Sequence, residues 1–163
     1  VVQTTFGNNG HPWSVSRTAA TRIEAENFDE GGQGVASHDT NPQNAFGAYR
    51  AEGVDIGTTT DGGGGPTLRV SAGEWLEYTI RVEQAGEYRL RARTSRGSSG
   101  SRAVRFLVDG VDKTGNMVVP PTGNWEAYTT VESLPFELPA GVQILRADIT
   151  SGDFNLNWIE IAP

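Results

Sequence analysis

From Arg22 onward, polar and apolar residues alternate with a period of two, and the repeats are cut into short runs by Gly and Pro. Between Glu74 and Val82, Leu76, Tyr78, Ile80 and Val82 fall on one side of that period, and Trp75, Glu77, Thr79 and Arg81 on the other. This is the pattern of a strand with one buried face. After Ala85-Gly86 the run Glu87–Arg93 repeats it, with Tyr88, Leu90 and Ala92 inward. Val104–Val108 ends at Asp109-Gly110, a dipeptide that accepts the positive φ of a tight turn. Shorter runs over 116–119, 126–131, 144–150 and 155–161 are separated by Pro120-Pro121, Gly123, Pro135, Pro139 and Gly141. No stretch keeps an apolar stripe at helical spacing for ten residues, so the crossover helices of a parallel α/β fold are missing. Short strands recurring about every ten residues predict an all-β fold, a two-sheet antiparallel β-sandwich of jelly-roll type. Residues 1–21 hold no such period and read as a linker or N-terminal extension, leaving 22–163 as the sandwich domain.

Composition narrows the function classes. The chain has 163 residues, enough for one domain, with a net charge of −7 and no cluster of basic residues. Nucleic-acid binding needs a basic stripe and is excluded. No apolar run approaches the length that spans a bilayer as a helix. Cysteine is absent, which removes disulfides, zinc thiolates and thiol nucleophiles. Val1–Thr5 carries neither a charged nor an apolar signal region, so an export signal, if used, is expected outside this sequence.

Candidate chemistry is sparse. The two histidines, His11 and His38, lie in irregular segments, and no Gly-x-Ser-x-Gly elbow occurs. The run Asp61–Gly65 lacks the Lys-Ser/Thr and helix of a phosphate loop and reads as a surface loop. The aromatics say more. Trp125 sits in the turn-like Gly123-Asn124-Trp125, Tyr49 at a loop-to-strand edge, and Asn155 at the start of the last run. Rings that stack on the C–H face of a pyranose, with an amide for its hydroxyls, make a sugar site, although core packing explains single aromatics equally. Glu24 and Glu26 share one face of a strand, and two carboxylates so close need a cation or arginines between them. Hard oxygen ligands suit Ca²⁺. Trp75 and Trp158 occupy strand interiors and are assigned to packing.

Five motifs in order, Arg22–Phe28 (RIEAENF), Gly73–Tyr78 (GEWLEY), Ala85–Tyr88 (AGEY), Thr122–Trp125 (TGNW) and Phe154–Ile159 (FNLNWI), resemble the family 6 carbohydrate-binding modules over residues 22–161. The resemblance implies a non-catalytic β-sandwich appended to a secreted glycoside hydrolase, acting as a monomer on a polysaccharide. It implies a sugar site in the loops at one end of the sandwich, made by Tyr49, Trp125 and Asn155, and a structural calcium held by Glu24, Glu26 and Asn157. The segments Gly34–Thr40 and Tyr49–Ile56 resemble the branch attached to laminarinases and agarases, which implies β-1,3-glucan, with agarose as the alternative. In that branch chain ends are often held in a blind pocket, one side of which Asp39 is expected to close. A small glycan-active enzyme is the remaining alternative.

Overall fold

In the computed structural model, which describes residues 2–163, fourteen strands build two facing sheets. In chain order they are β1 (Trp13–Val15), β2 (Thr21–Glu24), β3 (Ser37–His38), β4 (Ile56–Thr59), β5 (Gly65–Val70), β6 (Trp75–Val82), β7 (Gly86–Ser95), β8 (Ala103–Val108), β9 (Val111–Asp112), β10 (Met117–Val118), β11 (Thr129–Glu132), β12 (Phe136–Leu138), β13 (Gly141–Ser151) and β14 (Phe154–Ala162). One sheet runs β1-β6-β13-β8-β10, with β3 also on β6 and β9 on β8; the other runs β11-β7-β14-β5-β4, with β12 on β7 and β2 on β14. The expected all-β sandwich is what the chain forms. The only helical pieces among the described residues are three short 3₁₀ turns.

Alternation dictates the core. Leu76, Tyr78, Ile80 and Val82 from β6 face Tyr88, Leu90 and Ala92 from β7, all buried between the sheets. Each such side chain contributes about 1.5–3 kcal/mol by leaving water. The parity of β14 changes midway: Phe154 and Leu156 point inward, then Ile159 and Ile161. The cause is a bulge against β7 between Leu156 and Trp158, which leaves Asn157 as the extra residue. Asn155 and Asn157 therefore do not act as neighbours on one regular face.

The segment before residue 22 is part of the sandwich, not a separate linker. β1 pairs in parallel with the end of β6, Trp13 opposite Ile80 and Val15 opposite Val82, and Val15 is fully buried. β3 covers the other end of the same edge, opposite Trp75 and Leu76. Between them the buried Asp29 carboxylate accepts from the Thr79 N–H at 3.1 Å and from Gln3 Nε2 at 2.9 Å. The leader thus satisfies strand-edge donors and acceptors that would otherwise be unpaired. Three residues are too few to show a period, which is why the pairing left no trace in the sequence.

The two tryptophans assigned to packing are half-buried, and the packing is not against the core. Neither belongs to the core; each lies on an outer face beneath an arginine, Arg146 over Trp75 at 3.9 Å and Arg22 over Trp158 at 3.8 Å. His38 adds a ring stacked on Trp75. Odd positions of β6 face outward, so burial there comes from long cationic side chains, not from the opposite sheet.

Candidate functional site

Trp125 is placed by its backbone. Its carbonyl accepts from Ser95 Oγ at 2.6 Å, at the end of β7, and from Asn155 Nδ2 at 3.0 Å, at the start of β14. The Asn124 side chain closes the turn by accepting from the Glu126 N–H. Gly97 lies against the pyrrole part of the indole, so close that a Cβ there would come within 2.7 Å of Trp125 Nε1. Across the strands, Arg69 on β5 is in register with Asn155. Its Nε donates to Asn155 Oδ1 at 3.1 Å, its Nη1 donates to Asp153 Oδ2 at 3.1 Å, and its guanidinium carbon stands 3.3 Å from the centre of the Trp125 ring.

Trp125, Asn155 and Arg69 line a cavity of about 320 Å³ together with Phe46, Ala48, Gly57, Thr58, Thr67 and Glu126. Phe46 is 57% exposed and rests over Gly57, where the lack of a side chain leaves room for its ring. Asn44 sets that loop: its Oδ1 accepts from the backbone N–H groups of Gly47 and Ile56, and its Nδ2 donates to the carbonyls of Ala48 and Arg50. Glu126 Oε2 accepts from the Thr59 hydroxyl and the Thr60 N–H, tying the Trp125 turn to the end of β4, and these bonds hold its carboxyl below the usual range.

The structure brings Trp125 and Asn155 together and leaves Tyr49 and Asp39 out. Tyr49 has a left-handed backbone (φ 63°), and its hydroxyl donates to Asn27 Oδ1 at 2.8 Å while its ring meets the edge of Phe6. The second aromatic of the cavity is Phe46, three residues earlier. Nothing in the local sequence separates the two rings, because a loop with no period does not announce which side chain turns inward. Arg69 was equally invisible: only the pairing of β5 with β14 sets it beside Asn155. Asp39 lines a different cavity, together with Gln33, His38 and Glu52. It is 4% exposed, and its Oδ1 accepts from the Asn41 N–H. Burial pushes its carboxyl up to about 6, helped by the Glu74 and Asp55 carboxylates.

Glu24, Glu26 and Asn157 line a third, smaller cavity with Asp61, Gly62 and Trp158. The two glutamates do not reach it as alternate residues of one strand. β2 ends at Glu24, and Ala25–Asn27 is a 3₁₀ turn that carries Glu26. The bulge on β14 and the glycine-rich turn at 61–65 supply the rest. Asp61 is the residue the sequence did not reveal: it accepts from both Arg93 Nε and Nη2 and from Asn157 Nδ2 at 2.8 Å. Those bonds hold its carboxyl low. Glu24 is raised by burial against the opposing pull of Arg22. Glu26 is pushed to about 7, first by burial and then by the Glu24 charge, and its Oε2 is buried with no partner among the described residues. An orphaned buried carboxylate oxygen beside a second carboxylate fits a hard cation. Among the described residues no three carboxylates or imidazoles gather tightly enough to enclose a metal alone, so a shell here needs amide and backbone oxygens too.

Comparison with known proteins defines the class. The sequence profile of the carbohydrate binding modules of family 6 matches residues 44–163, and the chain belongs to that family. It is therefore a module of a non-catalytic, carbohydrate-binding family. It is similar to the module from the lichenase 5A of Cellvibrio mixtus in complex with cellotriose, at 26% identity and a TM-score of 0.65 over 87% of this chain and 95% of that one. It is similar too to the C-terminal family 6 module of a marine laminarinase from Zobellia galactanivorans, at 25% identity and a TM-score of 0.68 over 88% and 99% of the two chains. A 30% identity over 110 residues, 66% of this chain, links it to the clotting factor G alpha subunit of Tachypleus tridentatus. The chain spans only 16% and 8% of the lengths of the curated relatives it matches.

Proposed function

We propose that the cavity between Phe46 and Trp125 binds a β-1,3-glucan, chain or chain end, and that the module directs an attached glycoside hydrolase in a secreted protein to that polymer. The observation that carries this reading is the convergence of an exposed ring, an indole and the Asn155 amide on one cavity at the strand ends. The similarity to a laminarinase module supports the glucan over other polymers. A pyranose presents apolar faces and hydroxyl edges, which suit the Phe46 and Trp125 rings and the polar Thr58, Thr67 and Glu126 that line the same cavity. The family is one of non-catalytic binding modules, which supports binding as the module's part.

The expected test is calorimetry of Trp125→Ala against a β-1,3-gluco-oligosaccharide. Removing the indole is expected to abolish detectable binding, because such weak affinities depend on an aromatic contact of about 1–3 kcal/mol. Unchanged affinity with an intact fold would remove the cavity from the function.

We propose in addition that Glu24, Glu26 and Asn157, with Asp61 beside them, hold a structural Ca²⁺. When bound, the ion would neutralise the carboxylates that burial now disfavours. Glu24 and Glu26 would supply charged oxygens and Asn157 its amide oxygen, while Asp61 stays engaged by Arg93.

A further inference from the structure

We propose that Arg69 occupies the sugar's place in the resting module, so that ligand entry is an exchange with this side chain and not a simple addition; this rests on reading the Trp125 cavity as the sugar site. Two independent contacts of one residue carry the inference. The guanidinium carbon stands over the Trp125 ring, 3.3 Å from its centre, where a stacked pyranose would otherwise lie. The same side chain donates from its Nε to Asn155 Oδ1, while both hydrogens of Asn155 Nδ2 go to Ser95 Oγ and to the Trp125 carbonyl. The stacking face and the amide are thus taken by protein groups, and Asn155 itself is only 6% exposed. A sugar that uses this ring face has to displace the guanidinium.

An ion pair holds Arg69 there. Asp153 pairs with its Nη1 at 3.1 Å, and that ion pair is partly open to water, where salt weakens it. Asp153 is shared with Arg102, whose Nε also donates to the Asp153 carbonyl, so releasing Arg69 leaves the β13–β14 turn anchored. Arg69 could instead be a lure for an acidic sugar, but its charge is met by Asp153, and the Glu126 carboxylate lies on the same cavity. An anionic ligand would face a cavity with no spare positive charge. A neutral sugar, with Arg69 released from Asp153 and swung out of the cavity, meets no such conflict. Affinity is then reduced by the fraction of molecules in which the ring is covered.

The experiment compares the parent chain, Arg69→Ser, Asp153→Asn and Trp125→Ala for binding of a neutral β-1,3-gluco-oligosaccharide and of cellotriose by calorimetry at low and high salt. With Arg69 as a latch over the ring, Arg69→Ser is expected to bind about tenfold more tightly, a cation–π pair and two hydrogen bonds having been removed from the competing state. Asp153→Asn is expected to gain less, and added salt to tighten the parent but not Arg69→Ser. Binding by Arg69→Ser where the parent shows none supports the latch equally. If the parent binds through Trp125 but Arg69→Ser binds no better or more weakly, Arg69 is a contact or a bystander and the latch is overturned while the sugar site stands. If Arg69→Ser does not fold, the absence of any gain in Asp153→Asn overturns it instead. If neither the parent nor Arg69→Ser binds either sugar, the sugar-site reading fails and the latch with it.

Discussion

At the scale of single residues, the Trp125 cavity depends on what is absent at Gly97. Gly97→Ala would set a Cβ 2.7 Å from Trp125 Nε1 and 2.9 Å from Cδ1. Because Gly97 is exposed and does not need a positive φ, the fold tolerates the methyl, but the indole has to tilt. The expected outcome is a roughly tenfold or greater loss of glucan affinity with the melting temperature nearly unchanged, since misplacing a stacked ring costs on the order of its contact energy. Calorimetry and thermal unfolding on the same sample check it. Asp39 gives the second prediction. Its folded carboxyl titrates near 6 and its ordinary value is 3.8, so the native state holds the proton more tightly than the unfolded chain. The destabilising effect of its charge is absent below about 3.8, grows as pH rises, and is complete above about 6. Asp39→Asn retains the acceptor for the Asn41 N–H and removes the charge. Its melting temperature relative to the parent should climb between pH 4 and 6 and stay level above that. A constant difference across this range would mean Asp39 does not carry the charge penalty.

At the scale of elements, β1 closes the edge of β6, and the core test of that role is Val15. Val15→Ala removes two methyl groups from a fully buried site. The expected cost is about 2 kcal/mol, or about 4–8 °C in melting temperature for a domain of this size. An unattached leader would show no change, so a thermal melt separates the two pictures. The strand signals themselves were readable where a strand was long. β6, β7, β8, β13 and β14 all lie within a residue or three of the runs that alternation marks over 74–82, 87–93, 104–108, 144–150 and 155–161. The two-residue strands β3 and β9 and the three-residue β1 exist only because a longer neighbour offers them an edge. No pattern of so few residues can be told from a loop.

At the scale of the whole molecule, the third cavity joins β2, the turn before β5 and the bulge of β14, three segments far apart in sequence. A cation bound there stabilises the fold by mass action, about 2.7 kcal/mol when free Ca²⁺ stands at a hundred times its dissociation constant. Chelator is therefore expected to lower the melting temperature by several degrees, and Ca²⁺ to restore it. Glu26→Gln should abolish the response. Sugar affinity should not follow, because the two cavities share no lining residue. A melting curve indifferent to Ca²⁺ would show that Glu24 and Glu26 are balanced by arginines alone.

The all-β sandwich, the inward faces of its long strands and, through five ordered motifs, the family were legible in the sequence alone. Each follows from local information: a period of two, a turn dipeptide, a spacing within one motif. Everything that depends on which segments lie side by side, the meeting of Trp125 with Asn155 included, came from the three-dimensional fold. Phe46 and not Tyr49 lines the Trp125 cavity because the Asn44-centred loop presents the earlier ring. Asp61 joins Glu24 and Glu26 because a bulge at Asn157 and a glycine turn converge there. Arg69 covers the indole because β5 pairs with β14 in one register, and register is a property of two strands that neither strand's sequence contains alone.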